Sequence, residues 1–318
     1  MKISILLPAR NEEFLKNTIE DILKNKEDDT EIIVGLDGCW SKPPIDKHPD
    51  VKIIKVAEAI GQRAITRLCA KLSNAKYILK ADAHCAFDKG FDRKMLEAFK
   101  KTGDNVVMVP EMRNLHAYDW VCTKCKHREY QDRAPKCPKC EAVMEKEMMW
   151  RPRRGTHSFS YCFDSEPHFQ YWNDYLHRDE YKNDLKRDGI TQLMSLQGSF
   201  FMCTKEKYFE LDVDDETMGS WGNQGLMVAC KFWLSGGRVL LNHDTWYAHC
   251  FRTKPATFGF PYPQSGREVH KTKARVKDLF WNKKFKGQVY PLSWLLEKFA
   301  PVKGWTEEDI NKLKQKGN

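Results

Sequence analysis

Five short runs of β-branched and aliphatic residues, interleaved with amphipathic stretches, constrain this chain more than any other feature. Residues 3–7 (ISILL), 31–36 (EIIVGL), 52–56 (KIIKV), 76–81 (KYILKA) and 105–109 (NVVMV) have the length and composition of strands. Between them, Phe14, Leu15, Ile19, Ile22 and Leu23 share one face of a helix over 12–24, with Asn11 as its expected N-cap. Ile65, Leu68 and Leu72 do the same over 62–73. A β-α-β-α order pairs its strands in parallel and covers the sheet with the crossover helices. The expected fold class is therefore α/β, a mainly parallel sheet flanked by helices. Such sheets gather ligands at the carboxyl ends of their strands.

The run "YILKADAHCAF" (77–87) turns polar where a buried strand should stay apolar. Asp82 and His84 project to the same side of extended chain, so they can ligate one ion together. Carboxylate and imidazole both accept Mn²⁺, and a carboxylate suits Mg²⁺. A second cluster is more specific. Cys122-x2-Cys125 and Cys137-x2-Cys140 are separated by eleven residues. Four thiolates make a closed tetrahedral Zn²⁺ site, structural because no position is left for water. The expected unit is a zinc ribbon inserted over 117–150.

The other seven of the 11 cysteines are scattered singly, which argues against a secreted disulfide framework. No apolar run reaches the length of a membrane span, so no membrane partner is expected. "MKISILLPARNEE" reads as a first strand rather than a leader. The expected compartment is the cytoplasm. The net charge of +9 is unevenly placed. Residues 271–318 hold 12 Lys and Arg against 5 Asp and Glu, and residues 122–154 hold 10 against 5. Those surpluses read either as solvated surface or as the footprint of an anionic partner such as nucleic acid.

The second half is less regular. "LMSLQGSFFMC" (193–203) is strand-like, and a helix over 224–235 carries Leu226, Ala229, Cys230 and Trp233 on one stripe. "GGRVLLN" (236–242) turns into another strand, and Thr306 with Asp309 three residues on marks a helix start. His168, His177 and His243 read as surface or core histidines. The aromatic segment 156–175 suits an acceptor cleft and a packed core equally.

Several stretches in series carry a resemblance. "ISILLPARNEE", "EIIVGLDG", "GQRAITRLCAKLSNAKYILKADAH" and "GSWGNQGLMVACKFWLSGGRVLLNHDTWYAHCFR" resemble the nucleotide-sugar-dependent glycosyltransferases of family 2. They also resemble the related polypeptide N-acetylgalactosaminyltransferases. The resemblance covers roughly residues 1–115 and 192–262. With the zinc insertion and "FAPVKGW", the whole looks like a family 2 group common in bacteriophage genomes.

The resemblance implies a GT-A fold in four parts: a nucleotide-sugar-binding half (1–116), the zinc ribbon (117–150), an acceptor-side half (151–262) and a basic C-terminal extension (263–318). It implies that Pro8, Arg10 and Glu12 border the nucleotide and that Asp37 bonds the uracil. Gly61 and Arg67 match the helix that leans on ribose and diphosphate. Asp82 and His84 stand in the place of the metal-binding D-x-D or D-x-H, and His249 in that of the third ligand. Arg252 then neutralises phosphate charge. On the acceptor side, in the loop Trp221, Gly222, Asn223 and Gln224, the last two stand in the catalytic place where the family usually carries a carboxylate, Trp221 reads either as a stacking surface for the sugar or as packing, and neither amide can act as a base. The base must come from elsewhere, with Asp214, Asp215, Glu216 and Asp164 as candidates, or the reaction retains configuration and needs none.

The implied activity is metal-dependent transfer of a hexose, glucose by the resemblance, from a UDP-sugar to a hydroxyl. The implied acceptor is the hydroxymethyl group of a modified pyrimidine such as 5-hydroxymethylcytosine in phage DNA, inside the host cytoplasm. The alternatives are a surface polysaccharide or protein acceptor, and a catalytically inactive zinc-ribbon protein that binds nucleic acid.

Overall fold

The computed structural model describes residues 1–131, 136–219, 222–251, 261–262 and 266–316. Its first half is β1 (Ile3–Ala9), α1 (Leu15–Asn25), β2 (Thr30–Asp37), β3 (Val51–Val56), α2 (Gln62–Leu72), β4 (Tyr77–Ala81), β5 (Cys85–Phe87) and α3 (Phe91–Thr102). Every residue of β1 and β2 is buried, as expected for strands covered on both faces. The strands run parallel in the order β3-β2-β1-β4, with Ile3 opposite both Thr30 and Tyr77. One local expectation fails. Asn11 is not the cap of α1; it takes a left-handed φ of 50°, and the helix begins at Leu15. Packing overrides the capping preference here. Phe14 goes into a cluster with Leu115, Tyr118 and Ala248, its ring 5.8 Å from that of Tyr118.

The second half contains β6 (Val106–Cys122), β7 (Arg128–Tyr130), β8 (Met144–Ser158), β9 (Tyr161–Phe163), β10 (Phe169–Tyr171), α4 (Asp179–Asp188), β11 (Ile190–Gln192), β12 (Phe200–Thr204), α5 (Lys205–Glu210), α6 (Gln224–Leu234) and β13 (Arg238–His249). Three helices follow, α7 (Gly266–Val276), α8 (Leu292–Lys298) and α9 (Glu307–Gln315). Of the strand expected over 193–203, only the part from Phe200 onward joins the sheet. It enters antiparallel between β4 and β6. The sheet path β11-β13-β6-β12-β4-β1-β2-β3 is therefore mixed, with β6 and β13 parallel to each other. The Thr306 capping box is present, its side chain accepting from the Asp309 amide.

The four cysteines sit at the tip of a long hairpin. β6 runs unbroken across residues 116 and 117 for 17 residues, and β8 returns antiparallel with Met144 opposite Cys122. Each CxxC pair is a knuckle. The Cys125 amide donates to Cys122 Sγ and the Lys139 amide to Cys137 Sγ, both at 3.4 Å. Lys126 and Glu141 close the two turns with φ of 58° and 59°. Sulfurs of Cys122 and Cys140, and of Cys125 with Cys137, lie 3.5 Å apart. Tetrahedral Zn–S bonds of about 2.3 Å set sulfurs roughly 3.8 Å apart, so the donor set fits Zn²⁺. The hairpin is tied to the body by Lys146, which pairs with Glu13 and lies 4.7 Å from the Tyr118 ring.

The C-terminal segment is not a loose tail. Val276, Phe280, Leu292, Leu295 and Leu296 are completely buried in the main core. Several of its cations are paired within the chain: Lys277 with Glu166 and Lys284 with Asp278, each at 2.7 Å, and Arg275 with Asp278 at 3.4 Å. Among the described residues no helix is long and apolar enough to cross a membrane.

The ribbon geometry carries the first prediction. Protein purified without chelator should hold close to one zinc per chain by elemental analysis. Cys137→Ser should lose that zinc and raise hydrogen exchange at the hairpin tip, while β1 and β2 stay protected. Wild-type protein with zinc at background levels would refute the assignment.

Candidate functional site

The turn between β4 and β5 displays Asp82 and His84 at the carboxyl edge of the sheet. What completes the site is a pairing the linear sequence does not show. β13 runs antiparallel to β5 with His249 opposite Cys85, and the Cys250 amide donates to the His84 carbonyl at 3.0 Å. The two imidazoles then meet Nε2 to Nε2 at 3.1 Å, and His249 Nε2 lies 3.2 Å from Asp82 Oδ2. His84 Nε2 is 3.9 Å from the same oxygen. Cis ligands on bonds of about 2.1 Å stand about 3 Å apart, so this spacing fits one divalent cation.

Proton bookkeeping supports the same reading. Glu12 Oε2 lies 3.1 Å from His84 Nδ1 and accepts from that ring N–H, the tautomer whose Nε2 carries the lone pair. His84 Nε2 and Asp82 Oδ2 both face His249 Nε2, and His249 Nδ1 has no partner among the described residues. Burial pushes His249 down to about 4, against the opposing hydrogen bond from Asp82, so the ring is a neutral ligand at neutral pH. Asp82 goes the other way. Burial alone would raise it, but the Lys80 ammonium and the His249 hydrogen bond hold it well below the usual carboxylate range. Lys80 is wholly buried, pairs with Asp82 Oδ1 and donates to the Gly198 carbonyl at 2.7 Å. Sequence reading missed it, although a lysine inside "YILKA" is the kind of charge that needs a buried partner.

These groups form the floor of a cleft of about 690 Å³, which Pro8 and Glu12 also line. The remaining donor-side residues are placed as follows. Arg10 stands with its guanidinium 5.9 Å from the Tyr262 ring. Asp37 is buried and accepts from the amides of Ile60 (2.7 Å) and Gly61 (3.0 Å) and from the Tyr262 hydroxyl (2.8 Å). Gly61 needs its missing Cβ, since it enters α2 at φ 101°. Arg67 is not in the cleft wall; it pairs with Asp212 and, at 3.7 Å, with Glu216. Arg63, one turn earlier, is buried outside the cleft wall and donates to the carbonyls of Gly219 (2.6 Å) and Gly222. Arg252 lies outside the described residues, as does Trp221.

On the opposite wall, Gly222, Asn223 and Gln224 line the cleft where α6 begins. Gly225 lets that helix end approach the 196–198 segment, because a Cβ there would fall 1.8 Å from the Leu196 carbonyl oxygen. The Gln224 side chain donates to Asp214 Oδ1 at 2.6 Å, and Tyr208 donates to the other oxygen at 2.8 Å. Burial pushes Asp214 up, and it lies beneath the wall rather than in it. Asp215 accepts from the Thr217 amide and hydroxyl, and Glu216 faces Arg67. None of Asp214, Asp215, Glu216 and Asp164 lines the cleft.

Comparisons with known proteins agree with this geometry. Residues 4–140 match the family model Glycosyl transferase family 2. The chain is 23% identical over 166 residues to Probable N-acetylgalactosaminyltransferase 9 of Caenorhabditis elegans, covering 42% of this chain and 28% of that protein. It is 22% identical over 200 residues to Putative polypeptide N-acetylgalactosaminyltransferase 13 of Drosophila melanogaster, covering 63% and 29%. The chain thus spans less than a third of the length of these two relatives. Among solved structures, "Crystal structure of GalNAc-T7 with UDP, GalNAc and Mn2+" superposes with a TM-score of 0.65 at 15% identity, over 99% of this chain and 54% of that one. The fold is GT-A.

The site predicts graded metal affinities. Asp82→Asn should abolish saturable Mn²⁺ binding measured by calorimetry. Glu12→Gln, which only orients His84, should weaken it by about 10- to 100-fold. Wild-type affinity in Glu12→Gln would remove that residue from the support of the metal ligands.

Proposed function

With a family 2 glycosyl transferase domain matched over residues 4–140 as the premise, we propose that this chain transfers a sugar from a UDP-sugar to a hydroxyl acceptor. The observation that carries the reading is the convergence of Asp82, His84 and His249 on one point of an open cleft. Those three side chains would hold Mn²⁺ or Mg²⁺, which supplies positive charge against the charge developing on a leaving diphosphate. Lys80 keeps Asp82 ionised and turns its second oxygen away from the ligand position. Glu12 fixes the tautomer of His84, and the β5–β13 pairing sets His249 in place. Gln62, at the start of α2, donates to Asp82 Oδ1 at 3.3 Å and lines the donor wall. The neighbour solved with UDP, GalNAc and Mn²⁺ supports this reading of the donor side.

The narrower reading takes the acceptor hydroxyl to be the hydroxymethyl group of a modified pyrimidine in DNA, with glucose as the sugar. The cation surplus of residues 271–318 supports it, and the internal pairing of Lys277, Arg275 and Lys284 reduces the charge free to meet phosphates. The names of the relatives place UDP-N-acetylgalactosamine beside UDP-glucose among the donors to test.

UDP release from UDP-glucose, UDP-N-acetylglucosamine and UDP-N-acetylgalactosamine should require Mn²⁺ or Mg²⁺, stop on addition of EDTA and be lost in His249→Ala. Release indifferent to EDTA, or none from any donor, rejects the reading. For the DNA acceptor, retention on duplex DNA should fall steeply with salt, and replacing Lys271, Lys273, Arg275 and Lys277 together should flatten that dependence. A wild-type protein that passes through unretained at low salt rejects DNA.

A further inference from the structure

The cleft is also lined by His168, which is backed by a carboxylate outside the cleft wall, and the donor site uses neither. β9 and β10 pair antiparallel, with Phe163 opposite Phe169, and the turn between them carries Asp164 and His168. His168 Nδ1 lies 3.1 and 3.0 Å from the two Asp164 oxygens. Asp164 Oδ1 also accepts from the amides of Glu166 and His168, each at 2.9 Å, and Oδ2 from Gln170 Nε2 at 3.0 Å. Burial alone would raise this carboxyl, but those hydrogen bonds hold it below the usual carboxylate range. The imidazole is thus oriented from one side. Its Nε2 has no partner among the described residues, and half of the side chain is exposed along the cleft that Asp82, His84 and His249 also line.

The turn is held from behind. The Ser165 amide donates to the Gly304 carbonyl at 3.2 Å, and Trp305 Nε1 donates to the Phe163 carbonyl at 2.7 Å. A Cβ at Gly304 would come 2.5 Å from Asp164 Cβ, so the C-terminal segment presses directly on the aspartate. A solvated surface histidine needs no such support.

We propose that His168 is the general base toward the acceptor hydroxyl, with Asp164 as its orienting partner. The proposal rests on the glycosyl-transfer reading and supplies the base that Asn223 and Gln224 cannot. The acceptor oxygen bonds to the anomeric carbon as its proton passes to His168 Nε2. The bond from that carbon to the diphosphate oxygen breaks, and its electron pair leaves on the diphosphate. Asp164 pairs the imidazolium that forms. A single displacement of this kind inverts the anomeric centre. Phe169 and Tyr171 flank the histidine with 37% and 47% exposure, their rings edge to face at 5.5 Å. They give a ring-shaped acceptor a surface to stack on. The charged groups around the turn are Asp164, Glu166 with its partner Lys277, and Lys273, which lines the cleft.

Hydrolysis of UDP-N-acetylgalactosamine and UDP-glucose with Mn²⁺, water serving as the acceptor, tests this. His168→Gln should lower kcat by about 10²- to 10⁴-fold, with the donor KM and Mn²⁺-dependent UDP affinity unchanged. It should also lose the rise of kcat with pH that an imidazole base imposes. In the wild type, the first sugar released from these α-linked donors should be the β anomer by NMR, a readout that needs no variant. Wild-type kcat and pH profile in His168→Gln, or release of the α anomer, overturns the proposal while leaving glycosyl transfer standing. A wild-type protein that neither binds UDP with Mn²⁺ nor hydrolyses any donor overturns both.

Discussion

A buried lysine and the partly exposed aspartate it pairs with, at the end of a central strand, set the terms for the rest of this structure. Lys80 lies within β4, between β1 and β12, with no exposure to water. A buried ion pair persists only when its remaining hydrogen-bonding capacity is met, and removing one partner costs about 3–5 kcal/mol. Lys80 finds that capacity in Asp82 and in the Gly198 carbonyl. The second partner ties the irregular segment 193–199 to the lysine. Gly198 must offer its carbonyl toward the lysine before β12 begins at Phe200. The floor of the cleft and its irregular opposite wall are thus two ends of one electrostatic arrangement.

The same economy links the outlying parts to the cleft. The zinc hairpin is an extension of β6 and β8, and its base packs on Phe14, two residues after Glu12. Glu12 in turn lies 3.1 Å from the ring of His84, one of three side chains that converge in the cleft. At the other end of the chain, Trp305 and Gly304 close on the β9–β10 turn. Each appended segment therefore reaches the cleft through residues whose positions matter there.

The wall formed by Gly222, Asn223 and Gln224 presents amides, not charges, to the cleft. Gln224 faces the cleft, while the carboxylate beneath it, Asp214, is sealed off by Gln224 and Tyr208. Burial raises that carboxyl and hides it from any substrate. Asp164, by contrast, is held below the usual carboxylate range and pairs with the imidazole of His168, which lines the cleft.

Much of the donor half was legible in the sequence because its signals are local. Apolar runs and helical stripes located β1 to β4 and both early helices, and the paired CxxC spacing located the ribbon. Asp82 and His84, two residues apart at a strand end, announced a ligand pair, and resemblance alone suggested His249. Tertiary structure decided everything that depends on residues far apart in the chain. The β5–β13 register brings His249 onto His84, and the insertion of β12 makes the sheet mixed. Arg67 was expected at the cleft from its helix, but Asp212 and Glu216 draw it away. His168 looked like an ordinary surface histidine because nothing in its neighbours by sequence says that a turn will fold back and set it along the cleft. Periodicity and short motifs report on contacts a few residues long; the partners of a buried charge or a ring nitrogen are chosen only when distant strands close on one another.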